Sequence, residues 1–120
     1  MPDTGDALTS RSVVKGPWRD LYRSRIASAS CAVSHIRSGQ RVFVGSNCAQ
    51  PQSLVDALTS HADDLTAVEI VHILTLGHAP YTEARFDKQF HHTAFFIGAN
   101  VRDAVNACRA DYTPIFLSEI

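Results

Sequence analysis

The chain has 120 residues, a formal net charge of −1 and a hydrophobic fraction of 45%. That length allows at most one domain with a real buried core, and the composition is that of a globular protein. No basic excess favours nucleic acid, no polybasic run favours a membrane surface, and no apolar run nears the ~20 residues of a membrane span.

In chain order, residues 1–15 are rich in Asp, Thr, Ser and Gly and lack the apolar stretch of a signal peptide. They are expected to be a disordered tail ahead of a single domain over 16–120. Gly16-Pro17 introduces a short helix with Trp18, Leu21, Tyr22 and Arg25 on one face. Ser28 or Ser30 caps a second helix with the stripe Ala29, Ala32, Val33 and Ile36, and Gly39 suits a left-handed cap at its end. Val42, Phe43 and Val44 form an apolar run of β-formers, predicting a strand over 41–44. Gly45-Ser46-Asn47 then supplies residues that tolerate positive φ. Pro51 opens a helix whose apolar face is Leu54, Val55, Leu58 and Ala62.

A small-residue loop between strand and helix leaves backbone N–H groups free, and these with the helix dipole favour an anionic group. Neither a dinucleotide G-x-G-x-x-G nor a phosphate-binding G-K-[ST] is present, and on physics alone such a loop is an ordinary βα connection.

His61-Ala-Asp-Asp64 closes the helix, and Val68 to Leu76 predicts a second strand, nearly continuous in apolar residues as in parallel sheets covered on both faces. Gly77-His78-Ala79-Pro80 breaks it, and residues 82–89 read as polar and weakly helical. A third strand is expected over Thr93–Ile97. After the Gly98-Ala99 turn, Asn100 is placed to cap a helix with Val101, Ala104, Val105 and Cys108 on one face. Thr113–Leu117 reads as a fourth strand, whose apolar side chains and edge invite another chain. Strands alternating with helices predict an α/β fold: a three-layer αβα arrangement on a mostly parallel sheet of about four strands.

The chemistry-bearing residues have plain structural readings. His72, inside an apolar strand, reads as a hydrogen-bonded core histidine. His78, His91 and His92 carry no metal-ligand spacing, so no metal site is expected. Cys31, Cys48 and Cys108 are odd in number with no C-x-x-C, which argues against a disulfide framework and for a reducing cytoplasm. Cys48 reads as a small buried thiol in preference to a nucleophile. Asp56, Asp63, Asp64 and Asp103 read as solvated helix faces, and Arg102 as a surface arginine or a carboxylate contact.

The motifs RVFVGSNCAQPQSLVDAL, VEIVHILTLG, FFIGANVRDAVN and RADYTPIFLSEI, in that order, resemble the acetyl-CoA hydrolase/CoA-transferase family. The likeness is to the first part of the N-terminal domain in the acetate and 4-hydroxybutyrate CoA-transferase branch, from about Trp18 to the last residue. Asn47 departs from the Gly-Ser-Gly often found in the family's loop. The resemblance implies a longer protein of two α/β domains, with the glutamate that forms a glutamyl-CoA thioester in the second. None of Glu69, Glu83 and Glu119 matches that motif, so no catalytic residue is assigned here. Gly45, Ser46, Asn47 and Cys48 face the active-site cleft by this resemblance. Gly77 and Asn100 join them as substrate-side candidates at the carboxyl ends of strands, where ligands gather in open α/β sheets.

Two functional classes follow. One is the N-terminal part of a CoA-transferase or acyl-CoA hydrolase moving CoA between short carboxylates. It has no tightly bound cofactor, and a second chain or domain supplies the glutamate and completes the site. The other is a non-catalytic stand-alone module that binds an acyl or phosphorylated ligand or a protein partner. Self-association through the C-terminal apolar segment is a further expectation.

Overall fold

The computed structural model describes residues 16–120; the expected tail over 1–15 lies outside them. The order of the main elements is α1 (Trp18–Arg25), α2 (Ala29–Val33), β1 (Arg41–Phe43), α3 (Gln52–Ser60), β2 (Val68–His72), β3 (Phe90–Ala94), α4 (Ala99–Asn106) and β4 (Ala110–Tyr112), with short 3-10 turns between and after them. The strands form one four-stranded sheet in the order β1-β2-β3-β4, every pairing parallel. The α/β class and the parallel sheet of four strands are as the sequence predicts.

Local chemistry accounts for the helix starts. Ser28 is extended and its hydroxyl accepts the Cys31 N–H at 3.1 Å, so it rather than Ser30 caps α2. Pro51 stands just ahead of α3, where its missing N–H leaves nothing unpaired. Gly39 has φ +76°, but in the turn that leads into β1 and not at the end of α2, which closes at Val33.

Strand order dictates the layering. Parallel crossovers are right-handed, so strands laid side by side in sequence order send every connection over the same face. In-register partners share a face, and the row Val42, Ile70, His92, Ala110 therefore runs across the side that the helices cover. On that side Val44, Val68, Ile70 and Phe90 pack with Val33, Val55, Leu58, Ala79, Tyr81 and Val101 in one core. The opposite face carries Arg41, Phe43, Glu69, Val71, Thr93 and Phe95, which line an open hollow reached by Ile120 of the C-terminal segment. The second helical layer of a three-layer sandwich is not supplied by the described residues.

Other boundaries also differ from expectation, beginning with β1, which ends at Phe43 and not at Val44. β2 stops at His72 because Gly77 and the turns before it leave the ladder, although Asn47 still bridges Thr75 in parallel fashion. β3 is Phe90–Ala94, three residues earlier than the apolar run Thr93–Ile97 suggests, since Val68–His72 selects it as a partner by register. The last strand is Ala110–Tyr112; Thr113–Phe116 is irregular and Leu117–Glu119 is a 3-10 turn. Pro114 lacks the N–H that would continue the ladder. Helix α4 closes at Asn106, so Cys108 sits in a left-handed turn with φ +55° and is exposed, not part of an apolar helix face.

Helix α1 forms as expected, yet Trp18, Leu21 and Tyr22 are more than half exposed and none of its residues is buried.

Candidate functional site

The carboxyl ends of β1, β2 and β3 bring three loops together, and side-chain amides tie them to one another. Asn47 takes φ +51°, the left-handed region that Asn tolerates better than other residues with a Cβ. Its N–H donates to the Leu74 carbonyl at 2.8 Å, docking the first loop against the second. Gly45 is required for closeness and not for its φ: an added Cβ would lie 2.7 Å from the Ala49 carbonyl oxygen. Ser46 is half-buried and its hydroxyl oxygen has no partner among the described residues. Cys48 is exposed, which corrects the expectation of a buried thiol: the loop that Gly45 and Asn47 fold turns this side chain outward.

The second loop is clamped from both sides. Gly77 N–H donates to Gln50 Oε1 at 2.9 Å. The Gln50 and Gln52 side-chain amides donate to the His78 carbonyl at 3.0 and 3.1 Å, and Gln50 Nε2 also donates to Gln52 Oε1 at 3.0 Å. From the other side Asn100 Nδ2 donates to the Gly77 carbonyl at 2.8 Å and to Thr75 Oγ1 at 3.1 Å. A Cβ on Gly77 would lie 2.5 Å from Gln52 Oε1 and 2.7 Å from Gln50 Nε2. Asn100 is thus not the helix cap. Gly98 occupies the N-cap position of α4, and the Asn100 amide crosses to the β2 loop instead.

Asn47, Gly77 and Asn100 are therefore joined through Leu74, Thr75 and Gln50, whereas Ser46 and Cys48 flank that cluster with no side-chain hydrogen bond to the described residues. Sequence reasoning passed over Gln50, Gln52 and Thr75. The signal was modest: two amides around Pro51, and one hydroxyl interrupting an apolar run.

Beneath the loops lies a polar inclusion in the core. His72, Thr75 and His92 are 0%, 0% and 1% exposed. The two imidazoles stack with centroids 4.4 Å apart, and the Tyr81 ring lies 5.3 Å from His92. His92 Nδ1 lies 3.1 Å from the Ile70 carbonyl, which only accepts, so that nitrogen carries the proton. Burial pushes His72 down to about 4 and His92 to about 3, the latter assisted by His72 itself. Both are neutral at pH 7. Burial also raises the Tyr81 phenol to about 12. These are packed core groups, as the reading of His72 anticipates.

Two of the three glutamates are held in ion pairs. Glu69 binds Arg41 at 2.6 Å and accepts Thr93 Oγ1 at 3.1 Å on the uncovered sheet face. Glu83 pairs with Arg85 at 2.8 Å and lies 3.9 Å from His78 Nε2. Glu119 is exposed in the C-terminal turn. Among the described residues no group of His, Cys, Asp and Glu is arranged to hold a metal ion, and no helix is long and apolar enough to cross a membrane.

A parallel sheet whose loops converge at one end defines an α/β unit of the open type. More particularly, the chain belongs to the acetyl-CoA hydrolase/transferase N-terminal domain family, whose model matches residues 10–120. It is 39% identical over 103 residues to 4-hydroxybutyrate coenzyme A transferase of Clostridium kluyveri, covering 86% of this chain and 24% of that protein. It is 38% identical over 87 residues to the succinyl-CoA:acetate/propanoyl-CoA:succinate CoA transferase of Fasciola hepatica, covering 71% and 18% respectively. The chain thus spans a quarter or less of the length of these relatives. The crystal structure of RipA from Yersinia pestis shares the fold, with a TM-score of 0.78 at 21% identity over 87% of this chain and 27% of that one.

Proposed function

We propose that this chain is the substrate-side portion of a CoA-transferase or acyl-CoA hydrolase that moves CoA between short carboxylates, and that a second chain or domain supplies the catalytic glutamate. The observation that carries this is the clamped loop cluster at the carboxyl ends of β1 to β3 in a chain of this family. Gly45, Ser46, Asn47, Cys48, Gly77 and Asn100 form the substrate side. Coenzyme A thioester enters as substrate, with no tightly bound cofactor. The occupied state of Glu69 and Glu83 supports the lack of a free catalytic carboxylate in this chain. The completing partner is a second chain carrying the rest of the fold, or a second copy meeting the apolar C-terminal segment, where Phe116 and Leu117 are largely exposed. The three free cysteines support a cytoplasmic setting.

The test mixes the purified chain with a polypeptide carrying the remaining length of a family relative. CoA transfer from acetyl-CoA to a panel of short carboxylates is then measured, with solution mass by light scattering. Turnover only in the mixture is expected. Turnover by this chain alone overturns the missing-glutamate reading, and a stable complex without turnover overturns the transferase reading in favour of a binding module.

A further inference from the structure

One buried hydroxyl connects the core imidazoles to the loops above them. Thr75 is fully buried, at the point where β2 has ended and Asn47 still bridges to it. The Gly77 carbonyl only accepts, so the amide nitrogen of Asn100, not its oxygen, faces it. The same nitrogen is 3.1 Å from Thr75 Oγ1 and donates there. The Thr75 oxygen is then an acceptor for Asn100, and its own proton points elsewhere. On its core side the hydroxyl meets His72 Nε2, 3.4 Å away, and the Tyr81 phenol.

The direction at the loop end is thereby set: Asn100 donates into Thr75. The Asn100 Oδ1 atom is left buried without a partner among the described residues. A hydroxyl at position 75 accepts from Asn100 and still has a proton and a second lone pair for the groups on its core side.

We infer that Thr75 is the positioning residue of the loop cluster: through Asn100 it holds the start of α4 against the Gly77 carbonyl, and through His72 it anchors both to the core. Val has nearly the same shape and would fill the space, but it leaves the Asn100 amide one bond short and His72 Nε2 without its hydroxyl partner. The loops would stay folded while losing their fixed orientation. What they hold rests on the CoA-transferase reading; the hydrogen-bond chain does not.

The test is nuclear magnetic resonance on the isotopically labelled full chain. In Thr75→Val the Asn100 side-chain amide protons exchange about fivefold to tenfold faster than in the unsubstituted chain, and the Gly77 amide signal moves. Thr75→Ser, which keeps the hydroxyl, restores both. Exchange at Asn100 unchanged in Thr75→Val overturns the inference. If Thr75→Val does not fold, Asn100→Asp at the half-buried end carries the same test: the His72 Nε2 resonance shifts as the Thr75 hydroxyl turns toward the new acceptor, and an unmoved resonance overturns the inference. These readouts need no ligand, so failure of the complementation assay above counts against the transferase reading alone.

Discussion

The two faces of the sheet are built from the same strands and differ in almost every physical respect. On the covered face Val68, Ile70, His72, His92 and Ala94 are at most 1% exposed, and even two imidazoles are buried and neutral. On the other face Phe43 is 56% exposed, and Arg41, Glu69 and Thr93 pair across the strands while His91 meets Asp111 at 2.8 Å. Alternation along each strand assigns residues to faces, but what lies above a face decides whether a polar group there is a cost or a solvated convenience. Parallel sheets are covered on both sides in complete domains. The uncovered face is therefore where this chain differs most from the interior its strand sequences anticipate.

The comparison breaks most sharply under truncation of apolar side chains. Ile70→Ala, on the covered face, should cost about 2–5 kcal/mol in urea unfolding, because a cavity remains where the side chain was. Phe43→Ala, on the open face, should stay within about 0.5 kcal/mol in this chain. Equal losses would mean that the open face is already covered.

Acid sharpens the contrast further. His72 and His92 titrate near their ordinary 6.5 when unfolded but only at about 4 and about 3 in the folded chain. The unfolded state thus takes up protons first, and stability that is full above pH 6.5 falls progressively as the pH drops toward 4 and below. A urea midpoint that declines across that window in the native chain, and declines less in His92→Gln, is the expected result. A midpoint flat from pH 7 to pH 4 would show that the imidazoles are not held neutral by the fold.

The loop end of the sheet answers to steric rather than electrostatic change. Gly45→Ala places a methyl against the Ala49 carbonyl and should cost about 1–3 kcal/mol, read by thermal unfolding. A loss near zero would mean that this loop yields without strain.

The smallest effect is expected from the open-face ion pair. Its Arg41 side chain is 72% exposed, so Arg41→Ala combined with Glu69→Gln in a double-mutant cycle should give a coupling of about 0.2–1 kcal/mol, shrinking with added salt. A larger, salt-insensitive coupling would argue that something shields this face.

Much of the fold was legible because its signals are local. The Val42–Val44 run, Pro51 ahead of α3 and the apolar period of Leu54, Val55 and Leu58 each act over a few residues, and a parallel α/β arrangement follows from their alternation. The third strand was misplaced because Phe90-His-His-Thr-Ala is less apolar than the Thr93–Ile97 run. Its pairing with β2 is a long-range choice in which the imidazole of His92 is buried on the core face. Cys48 and Asn100 were placed by residue type, and their true surroundings depend on loops that only meet in three dimensions.

The sequence by itself determined the class of the fold, the glycine and asparagine turns at the strand ends, and membership of a family through motifs spread along the chain. The tertiary structure alone decided which polar groups meet. Gln50, Gln52, Thr75 and Asn100 have no common pattern in the sequence, and the side-chain amides bond from loop to loop across 23 to 28 residues. Hydrogen bonds require distances and directions that only the packed backbone sets, whereas turn and strand preferences are already present in the short peptide.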